Sequence, residues 1–303
     1  MNSSPDVFYK SPPAYEGFKK KMISLGDEYD FIKLIRVGKS VLKREIYGIG
    51  IGDLKNAVLL AGAFHAQEWL TASLLVKFAE DICAHYIKSE EFVGVNLNKI
   101  LSERGIIIVP MVNPDGVEIA LSSAKSAGHL CGFVEDTMKL SDESWQANAR
   151  GVDINHNFDA GFDTLRRMES ELGIVGPMPR KYGGRSPHSE PESKAMVNLC
   201  SCFDIKMVFA YHSQGEEIFW EYGGNTPKSA RVIASALAAS CGYKISSPVG
   251  TASHGGFKDW FIEKTGRCGF TIEIGRGVNP LPIEELEPLY ARLVEMMTLS
   301  VTL

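Results

Sequence analysis

The spacing of apolar residues predicts a helix, two strands and then a change to fully buried elements in the first part of the chain. Apolar positions fall on one face of residues 15–25, which is typical of an amphipathic helix. Residues 32–37 and 45–51 predict two strands joined by a hairpin-like turn. Residues 57–64 form a continuous apolar run, which favours a strand covered on both faces, and residues 69–87 follow with a helical pattern.

The rest of the chain repeats this order of buried strands and helices. Residues 106–112 repeat the buried-strand pattern and end in the turn-forming sequence NPDG at 113–116. Ser189 and Glu192 have the spacing of a capping box that opens a helix to about residue 200, and a strand over 205–211 follows. A helix over 228–239, a strand over 269–274 and a terminal helix from about residue 283 complete the series. This alternation predicts an α/β fold with a mixed, mostly parallel sheet and helices on both faces.

Length and composition favour one globular domain. The chain has 303 residues and shows no internal repeat or low-complexity linker, so we predict a single domain over 1–303. It would comprise a helical lead-in over 1–30 and an α/β core over 31–303. The formal charge of −5 and the lack of a basic stripe exclude an electrostatic nucleic-acid binder. No segment approaches the roughly 20 apolar residues of a membrane-spanning helix.

The cellular location is predicted from the first residues and the cysteines. The start of the sequence, MNSSPDVFYKSPPAYEGF, has neither the basic n-region nor the apolar h-region of a secretory signal, which favours the cytoplasm. Scattered cysteines without a C-x-x-C pair are predicted to be reduced thiols. These residues are Cys83, Cys131, Cys200, Cys202, Cys241 and Cys268.

Polar residues that bind metals stand at the ends of three predicted strands. His65 and Glu68 follow one strand, His212 follows another, and Glu273 lies near the end of a third. In open α/β sheets, ligands bind beyond the carboxyl ends of the strands, so these side chains are expected to converge. Two histidines and one glutamate with an open fourth position form a recognised catalytic zinc set. By itself H-x-x-E is a common tetrapeptide, and the alternative is that these are ordinary core or surface residues.

Two carboxylates are candidates for supporting roles at such a centre. A metal-bound imidazole usually donates its second N–H to a carboxylate or carbonyl, and Asp153 in the segment RGVDIN is a candidate partner. The alternative for Asp153 is a turn or cap residue. Glu273 stands in an apolar run, where desolvation would raise its pKa and suit it to act as general base and acid. The alternative for Glu273 is an ion pair with Arg267 or Arg276.

Six sequence blocks together resemble the zinc carboxypeptidases in their order and approximate spacing. The blocks are GAFHAQEW, NPDG, GVDINHNFDAGF, YHSQG, GTASHGGFKDWF and FTIEIG, and they extend over most of the chain. The resemblance implies a layered α/β fold with a mixed eight-stranded sheet, one zinc ion and hydrolysis of a C-terminal amide. It also implies that His65, Glu68 and His212 are the zinc ligands, that Asp153 orients His65, and that Glu273 is the catalytic glutamate.

The same blocks depart from the digestive carboxypeptidases at the substrate pocket. Those enzymes have Asn-Arg where this chain has Asn155 and His156, and a histidine cannot form the bidentate fork of an arginine with a terminal carboxylate. Thr251 stands in place of a substrate-capping tyrosine, and His254 belongs to the same pocket-forming block. Arg150 is the arginine nearest to the RGVDIN block and is the candidate for stabilising the oxyanion, although the family's arginine lies farther upstream in the digestive enzymes. The pocket is therefore expected to fit something other than an ordinary L-peptide end.

The altered pocket block and the opening FIKLIRVGKSVLKREIYGIGIG look like the bacterial branch of the family that cleaves γ-D-glutamyl-L-diamino acid bonds in murein peptides. This resemblance implies a cytoplasmic zinc peptidase that hydrolyses the amide between γ-D-glutamate and meso-diaminopimelate. Asn155 and His156 would then help to hold the terminal carboxylate, because several polar groups can replace a single arginine.

Three alternatives remain open on the sequence. One is an ordinary metallocarboxypeptidase that releases C-terminal L-amino acids. Another is a deacylase of N-acyl amino acids, a related zinc fold that usually shows H-G-N-E in place of residues 65–68 and lacks NPDG. The last is a metal-free binding domain, against which the presence of all the expected ligands and of Glu273 counts.

Overall fold

A mixed eight-stranded sheet forms the centre of residues 7–303, which are the residues that the computed structural model describes. Its strands are β1 (Lys33–Lys39), β2 (Glu45–Gly52), β3 (Ala57–Gly62), β6 (Gly105–Val109), β7 (Ile205–Ser213), β8 (Glu217–Phe219), β9 (Lys244–Ser246) and β10 (Cys268–Ile274), while β4 (Glu91–Phe92) and β5 (Val95–Asn96) form a separate hairpin. The order across the sheet is β1-β2-β6-β3-β7-β10-β8-β9. Strands β6, β3, β7 and β10 run parallel to one another, and antiparallel pairs flank this central group.

Helices alternate with the strands along the chain. They are α1 (Tyr15–Glu28), α2 (Leu70–Lys88), α3 (Leu97–Glu103), α4 (Pro114–Ser122), α5 (Cys131–Met138), α6 (Phe162–Glu171), α7 (Pro191–Cys202), α8 (Ser229–Cys241), α9 (Phe257–Thr265) and α10 (Leu286–Thr302). In the described part of the chain, no helix combines the length and the apolar character that crossing a membrane requires.

Alternate residues of the central strands pack into hydrophobic layers on opposite faces of the sheet. On β3, Val58 and Leu60 join the layer that contains α1, α2, α8 and α10. Leu59 and Ala61 face the other layer, which contains α7 and α9. Continuous apolar runs form here because both faces of the strand are covered. The predicted α/β class, with a mixed and mostly parallel sheet between helices, is confirmed.

The amphipathic helix predicted near the start of the chain is present as α1. Its buried face consists of Tyr15, Phe18, Met22 and Leu25, which pack into the main core. The predicted lead-in over 1–30 begins with residues that lie outside the described chain, as does the start of the segment on which the prediction of no secretory signal rests.

The predicted turn at NPDG is instead the first turn of α4. The side chain of Asn113 caps this helix by accepting a hydrogen bond from the backbone N–H of Gly116 at 2.9 Å, and Pro114 occupies the first helical position. The turn prediction was wrong because the same residue types favour tight turns and helix starts. A Cβ at position 116 would lie 2.4 Å from the carbonyl oxygen of Ala147, so the glycine permits a close approach.

The predicted capping box was also wrong. Helix α7 begins at Pro191, so Glu190 is the N-cap and Ser189 precedes it. The Ser189 hydroxyl donates to the Glu190 carboxylate at 2.9 Å. Glu192 is buried and accepts hydrogen bonds from the backbone of Val41 and from the side chain of Asn148. These long-range partners replace the local cap, and burial raises the pKa of Glu192 to about 8.

Two predicted strands are shorter than the apolar runs that indicated them. β3 ends at Gly62 and β6 ends at Val109, where Pro110 has no N–H to continue a ladder. The apolar residues beyond each strand are buried in the loops that lead to the polar strand ends. The six cysteines, all within the described residues, are free thiols, as predicted.

Candidate active site

Adjacent strand ends bring His65, Glu68 and His212 together. β3 and β7 are parallel neighbours, and Gly62 at the end of β3 pairs with Tyr211, one residue before His212. His65 follows β3 in an extended conformation, and Glu68 ends the one-turn 3-10 helix Ala66–Glu68. The end of β3 and this short helix therefore place the side chains of His65 and Glu68 next to that of His212 on β7.

The polar atoms of these three residues are spaced like ligands of one ion. The Nδ1 atoms of His65 and His212 lie 3.2 Å apart. Glu68 Oε1 lies 2.8 Å from Nδ1 of His65, and Oε2 lies 2.9 Å from Nδ1 of His212. Tetrahedral zinc with bonds of about 2.0–2.1 Å places neighbouring ligand atoms about 3.3 Å apart. The three residues fit one divalent ion, because their candidate ligand atoms all lie within 4.8 Å of one another.

Asp153 fixes the orientation of His65. Nε2 of His65 donates to Oδ1 of Asp153 at 3.0 Å, which places Nδ1 on the side of Glu68 and His212, where a cation would meet it. The other carboxylate oxygen of Asp153 accepts from Nε2 of Gln146 at 2.8 Å. Asp153 also caps a short 3-10 helix, so the alternative of a cap residue and the predicted partnership with His65 are both present.

Burial and mutual charge set the protonation of this cluster. Burial opposes ionisation of Glu68, but the adjacent imidazoles of His65 and His212 outweigh it and lower the pKa of Glu68 to about 2. Burial lowers the pKa of His212, and Glu68 offsets this only in part. For Asp153, burial is likewise outweighed by the imidazoles, His65 first, and the pKa lies well below its ordinary value. The carboxylates are therefore ionised at neutral pH, which is the state that binds a cation.

Glu273 lies beside this cluster on the next strand. β10 runs parallel to β7, and Glu273 pairs in register with His212. Thr271 and Glu273 share the face that opens on the site, as strand alternation predicts. Burial raises the pKa of Glu273 well above its ordinary value, and the negative charge of Glu68 adds to the effect. A carboxylate with a raised pKa is suited to accept and return a proton near neutral pH.

Neither arginine that was considered as an ion-pair partner contacts Glu273. Arg267 pairs with Asp204 at 2.7 Å, and Arg276 pairs with Glu216 at 2.6 Å. Glu273 therefore does not form the ion pair with Arg267 or Arg276 that was its alternative interpretation.

His65 and Glu273 line a cavity of about 180 Å³. Its polar lining also includes Asn155, His156, Arg180, Lys181, Lys258 and Asp259. A larger groove of about 950 Å³ along α7 and α9 contains none of the metal-binding residues. We assign the chemistry to the smaller cavity, because the candidate ligand His65 and the half-buried Glu273 line it.

Asn155 and His156 line the cavity as expected for substrate-binding residues. Oδ1 of Asn155 accepts from the backbone N–H of Phe257 at 3.0 Å, which orients its amide group. Nδ1 of His156 donates to the carbonyl oxygen of Lys181 at 2.9 Å, which leaves Nε2 for a ligand. Both side chains thus retain a polar group for a ligand.

Arg150 and His254 are not among the residues that line this cavity. The Arg150 side chain is 53% exposed and faces Glu190 at 3.5 Å. His254 packs against Tyr222, whose hydroxyl is 3.2 Å from Nδ1 of the imidazole. The structure therefore gives no geometric support to Arg150 as the residue that stabilises the oxyanion, because its guanidinium lies at a different surface.

Sequence reasoning missed five polar residues of the cavity, which are Gln146, Arg180, Lys181, Lys258 and Asp259. Lys258 and Asp259 form a buried ion pair, and the Nζ of Lys258 also donates to the carbonyl oxygen of Glu221 at 2.8 Å. Arg180 and Gln146 are hydrogen-bonded to each other across the chain. For Lys258 and Asp259, the sequence did offer an indication, because two charged residues stand inside the otherwise apolar block GGFKDWF. Arg180 lies in a loop with no such signal.

Metal-assisted hydrolysis is the chemistry that this arrangement supports, since a cluster of candidate metal ligands adjoins a half-buried carboxylate with a raised pKa. The class of protein is therefore that of the metallohydrolases. The chain belongs to the zinc carboxypeptidase family, whose sequence profile matches residues 20–295. The resemblance stated from the six sequence blocks is therefore confirmed.

Comparison with individual proteins agrees with this family. The chain is 32% identical over 267 residues to γ-D-glutamyl-L-diamino acid endopeptidase 1 of Lysinibacillus sphaericus, covering 86% of this chain and 65% of that relative. It is similar in fold to bovine thrombin-activatable fibrinolysis inhibitor, with a TM-score of 0.75, 19% identity and 98% of each chain covered. The murein-tripeptide amidase of Escherichia coli O157 matches with a TM-score of 0.53 and 19% identity, covering 89% of this chain and 92% of the amidase.

Proposed function

We propose that this protein is a one-zinc peptidase that hydrolyses the amide between γ-D-glutamate and meso-diaminopimelate in murein peptides. The observation that carries the proposal is the cluster of His65, Glu68 and His212 next to Glu273. The substrate class is supported by the 32% identity to an endopeptidase named for γ-D-glutamyl-L-diamino acid bonds. The cytoplasmic location stays a prediction.

The positions of the residues support the following roles. Zinc held by Nδ1 of His65, Nδ1 of His212 and the carboxylate of Glu68 would polarise the scissile carbonyl and lower the pKa of water. Glu273 takes the proton of the attacking water and returns it to the leaving amine. Asp153 holds the imidazole of His65 in the tautomer that presents Nδ1 to the ion.

The charged pair in the cavity supports a zwitterionic leaving residue. Lys258 and Asp259 line the cavity with side chains that are each 3% exposed. Meso-diaminopimelate carries an ammonium and a carboxylate at the end of its side chain, so each group has a partner of opposite charge. Retaining a buried ion pair costs desolvation energy, which favours a role in recognition over one in stability. Asn155 and His156 remain available for the terminal carboxylate.

The proposal is tested by identifying the products of L-Ala-γ-D-Glu-meso-diaminopimelate with mass spectrometry. We expect L-Ala-γ-D-Glu and free diaminopimelate, and about one zinc per chain in purified protein. Cleavage of a hippuryl dipeptide in preference to the murein tripeptide would instead indicate an ordinary carboxypeptidase. Preferred release of an acyl group from an N-acyl amino acid would indicate a deacylase. A chain without zinc or hydrolysis would be a binding domain.

Replacing Lys258 with methionine is expected to reduce the preference for meso-diaminopimelate over L-lysine at the released position. The loss of one charge-assisted hydrogen bond predicts a change in the ratio of kcat/KM of about 10–100-fold. The ratio is measured with two tripeptides that differ only in this residue. Lys264→Met is a matched control, because Lys264 is an exposed lysine of the same helix α9.

A double variant distinguishes a change in substrate preference from a folding defect. In Lys258→Met/Asp259→Asn no unpaired charge stays buried, so the fold is expected to tolerate it better than the single change. An unaltered preference in both variants would contradict the role of the pair.

A further inference from the structure

One cation of the active-site cavity, Arg180, has no role in the proposed hydrolysis. Arg180 lines the cavity together with His65 and Glu273. Lys181 lines it as well, but its backbone carbonyl holds His156 and its backbone N–H donates to Asp153 at 3.2 Å. The segment that carries Arg180 is thereby attached to Asp153 and His156, which also line the cavity.

A chain of hydrogen bonds orients Arg180 relative to the metal ligands. Its Nε donates to Oε1 of Gln146 at 2.8 Å, and Nε2 of Gln146 donates to Oδ2 of Asp153 at 2.8 Å. Asp153 in turn accepts from His65. Because Nε is engaged, the terminal nitrogens are the part of the guanidinium that is left for a ligand. One of them contacts Glu143 at 3.2 Å, a partner whose side chain is 48% exposed.

The solvent exposure of the lining side chains distinguishes a closed end of the cavity from an open end. Lys258 and Asp259 at the closed end are 3% exposed, whereas Arg180 is 30% exposed and pairs with a surface residue. A peptide cut near its terminus places the released residue in the closed end. The residue on the acyl side of the scissile bond then lies toward the open end, where Arg180 is located.

We propose that Arg180 binds the free α-carboxylate of the γ-linked D-glutamyl residue, and this inference rests on the proposed function. In a γ-linkage the α-carboxylate is not part of the chain, so it is an anion close to the scissile amide. An α-linked peptide has no carboxylate at this position. A guanidinium can bind a carboxylate through two parallel hydrogen bonds. The contact with exposed Glu143 is readily exchanged for it, because surface ion pairs contribute little.

The test compares two murein tripeptides that differ only in this α-carboxylate, one free and one amidated, with an α-linked dipeptide as a third substrate. We expect the wild-type protein to favour the free acid by about 10–100-fold in kcat/KM. Arg180→Gln should lose this preference mainly through a higher KM for the acid, with a much smaller change for the amidated tripeptide. Arg180→Lys, which keeps the charge without the fork, should retain part of it.

The controls separate this inference from the proposed function and from misfolding. Arg185→Gln alters an exposed arginine of the same loop and should leave both substrates unchanged. Zinc content and Tm are measured for each variant. Equal wild-type rates on both γ-linked tripeptides, or an equal loss on both in Arg180→Gln, would overturn the role of Arg180 alone. Cleavage of only the α-linked dipeptide would overturn the proposed function, and the inference with it.

Discussion

The variant Glu273→Gln is expected to bind zinc normally and to lose peptide hydrolysis by at least about 10²–10⁴-fold in kcat, the contribution typical of a general acid and base. Glutamine has nearly the same shape but cannot take a proton from water. The metal ligands stay in place, because Glu273 is on a different strand from them and is a neighbour of His212 through the backbone ladder. Removing its charge also removes repulsion with Glu68, so metal binding should not weaken.

This prediction is checked by measuring kcat on the preferred peptide and zinc by elemental analysis of the same protein sample. Glu217→Gln is a suitable control, because Glu217 pairs with Glu273 across β8 and β10 but does not line the cavity. Turnover of the variant at the wild-type rate would exclude Glu273 as the acid and base. Loss of zinc together with activity would assign it to metal binding instead.

Local patterns were sufficient to place the candidate metal ligands and Glu273 at one edge of the sheet. Continuous apolar runs identify buried strands, and in a mostly parallel sheet the carboxyl ends of such strands lie at one edge. His65, Glu68 and His212 follow or end strands that prove to be neighbours in the sheet. Glu273 could be placed on the same side because alternation along β10 separates it from its apolar neighbours.

The predictions that were wrong, or that lack support in the geometry, depended on long-range partners. Ser189 and Glu192 have the spacing of a local cap, but Glu192 instead accepts a hydrogen bond from Val41, more than a hundred residues earlier in the chain. Arg150 was considered because it is close in sequence to Asp153, whereas the arginine that lines the cavity is Arg180. The loop that carries Arg180 has no periodicity, so its position is set by hydrogen bonds that a sequence does not display.

The pair Lys258 and Asp259 illustrates a limit of a different kind. Two charges within an apolar block are visible in the sequence, but the block starts a helix, where polar residues usually face water. Here the first turn of α9 is covered by the cavity wall, and both side chains are buried. The sequence thus shows two unexpected charges in an apolar block. Only the packing shows that Lys258 and Asp259 line the active-site cavity.

Replacing His212 with alanine is expected to abolish both zinc binding and hydrolysis. His212 is 1% exposed, and its Nδ1 faces Glu68 and His65, so the variant retains two of the three ligands at one side of the ion. Zinc stabilises the wild-type fold by RT ln(1 + [Zn]/Kd), hence adding zinc to the metal-free protein should raise its Tm. The variant should show no such rise and less than about 10% of one equivalent of zinc after dialysis.

The Tm response distinguishes the loss of a ligand from a general defect in packing. His212 stacks on Phe64 at 5.3 Å, so the alanine variant also leaves a void and should unfold at a lower temperature than the metal-free wild type. That decrease is independent of zinc, whereas the missing rise on zinc addition reports only the lost ligand. His129→Ala, at an exposed position far from the cluster in sequence, should keep both the zinc content and the rise. A variant of His212 that still gains stability with one zinc per chain would show that the ion is held by other residues.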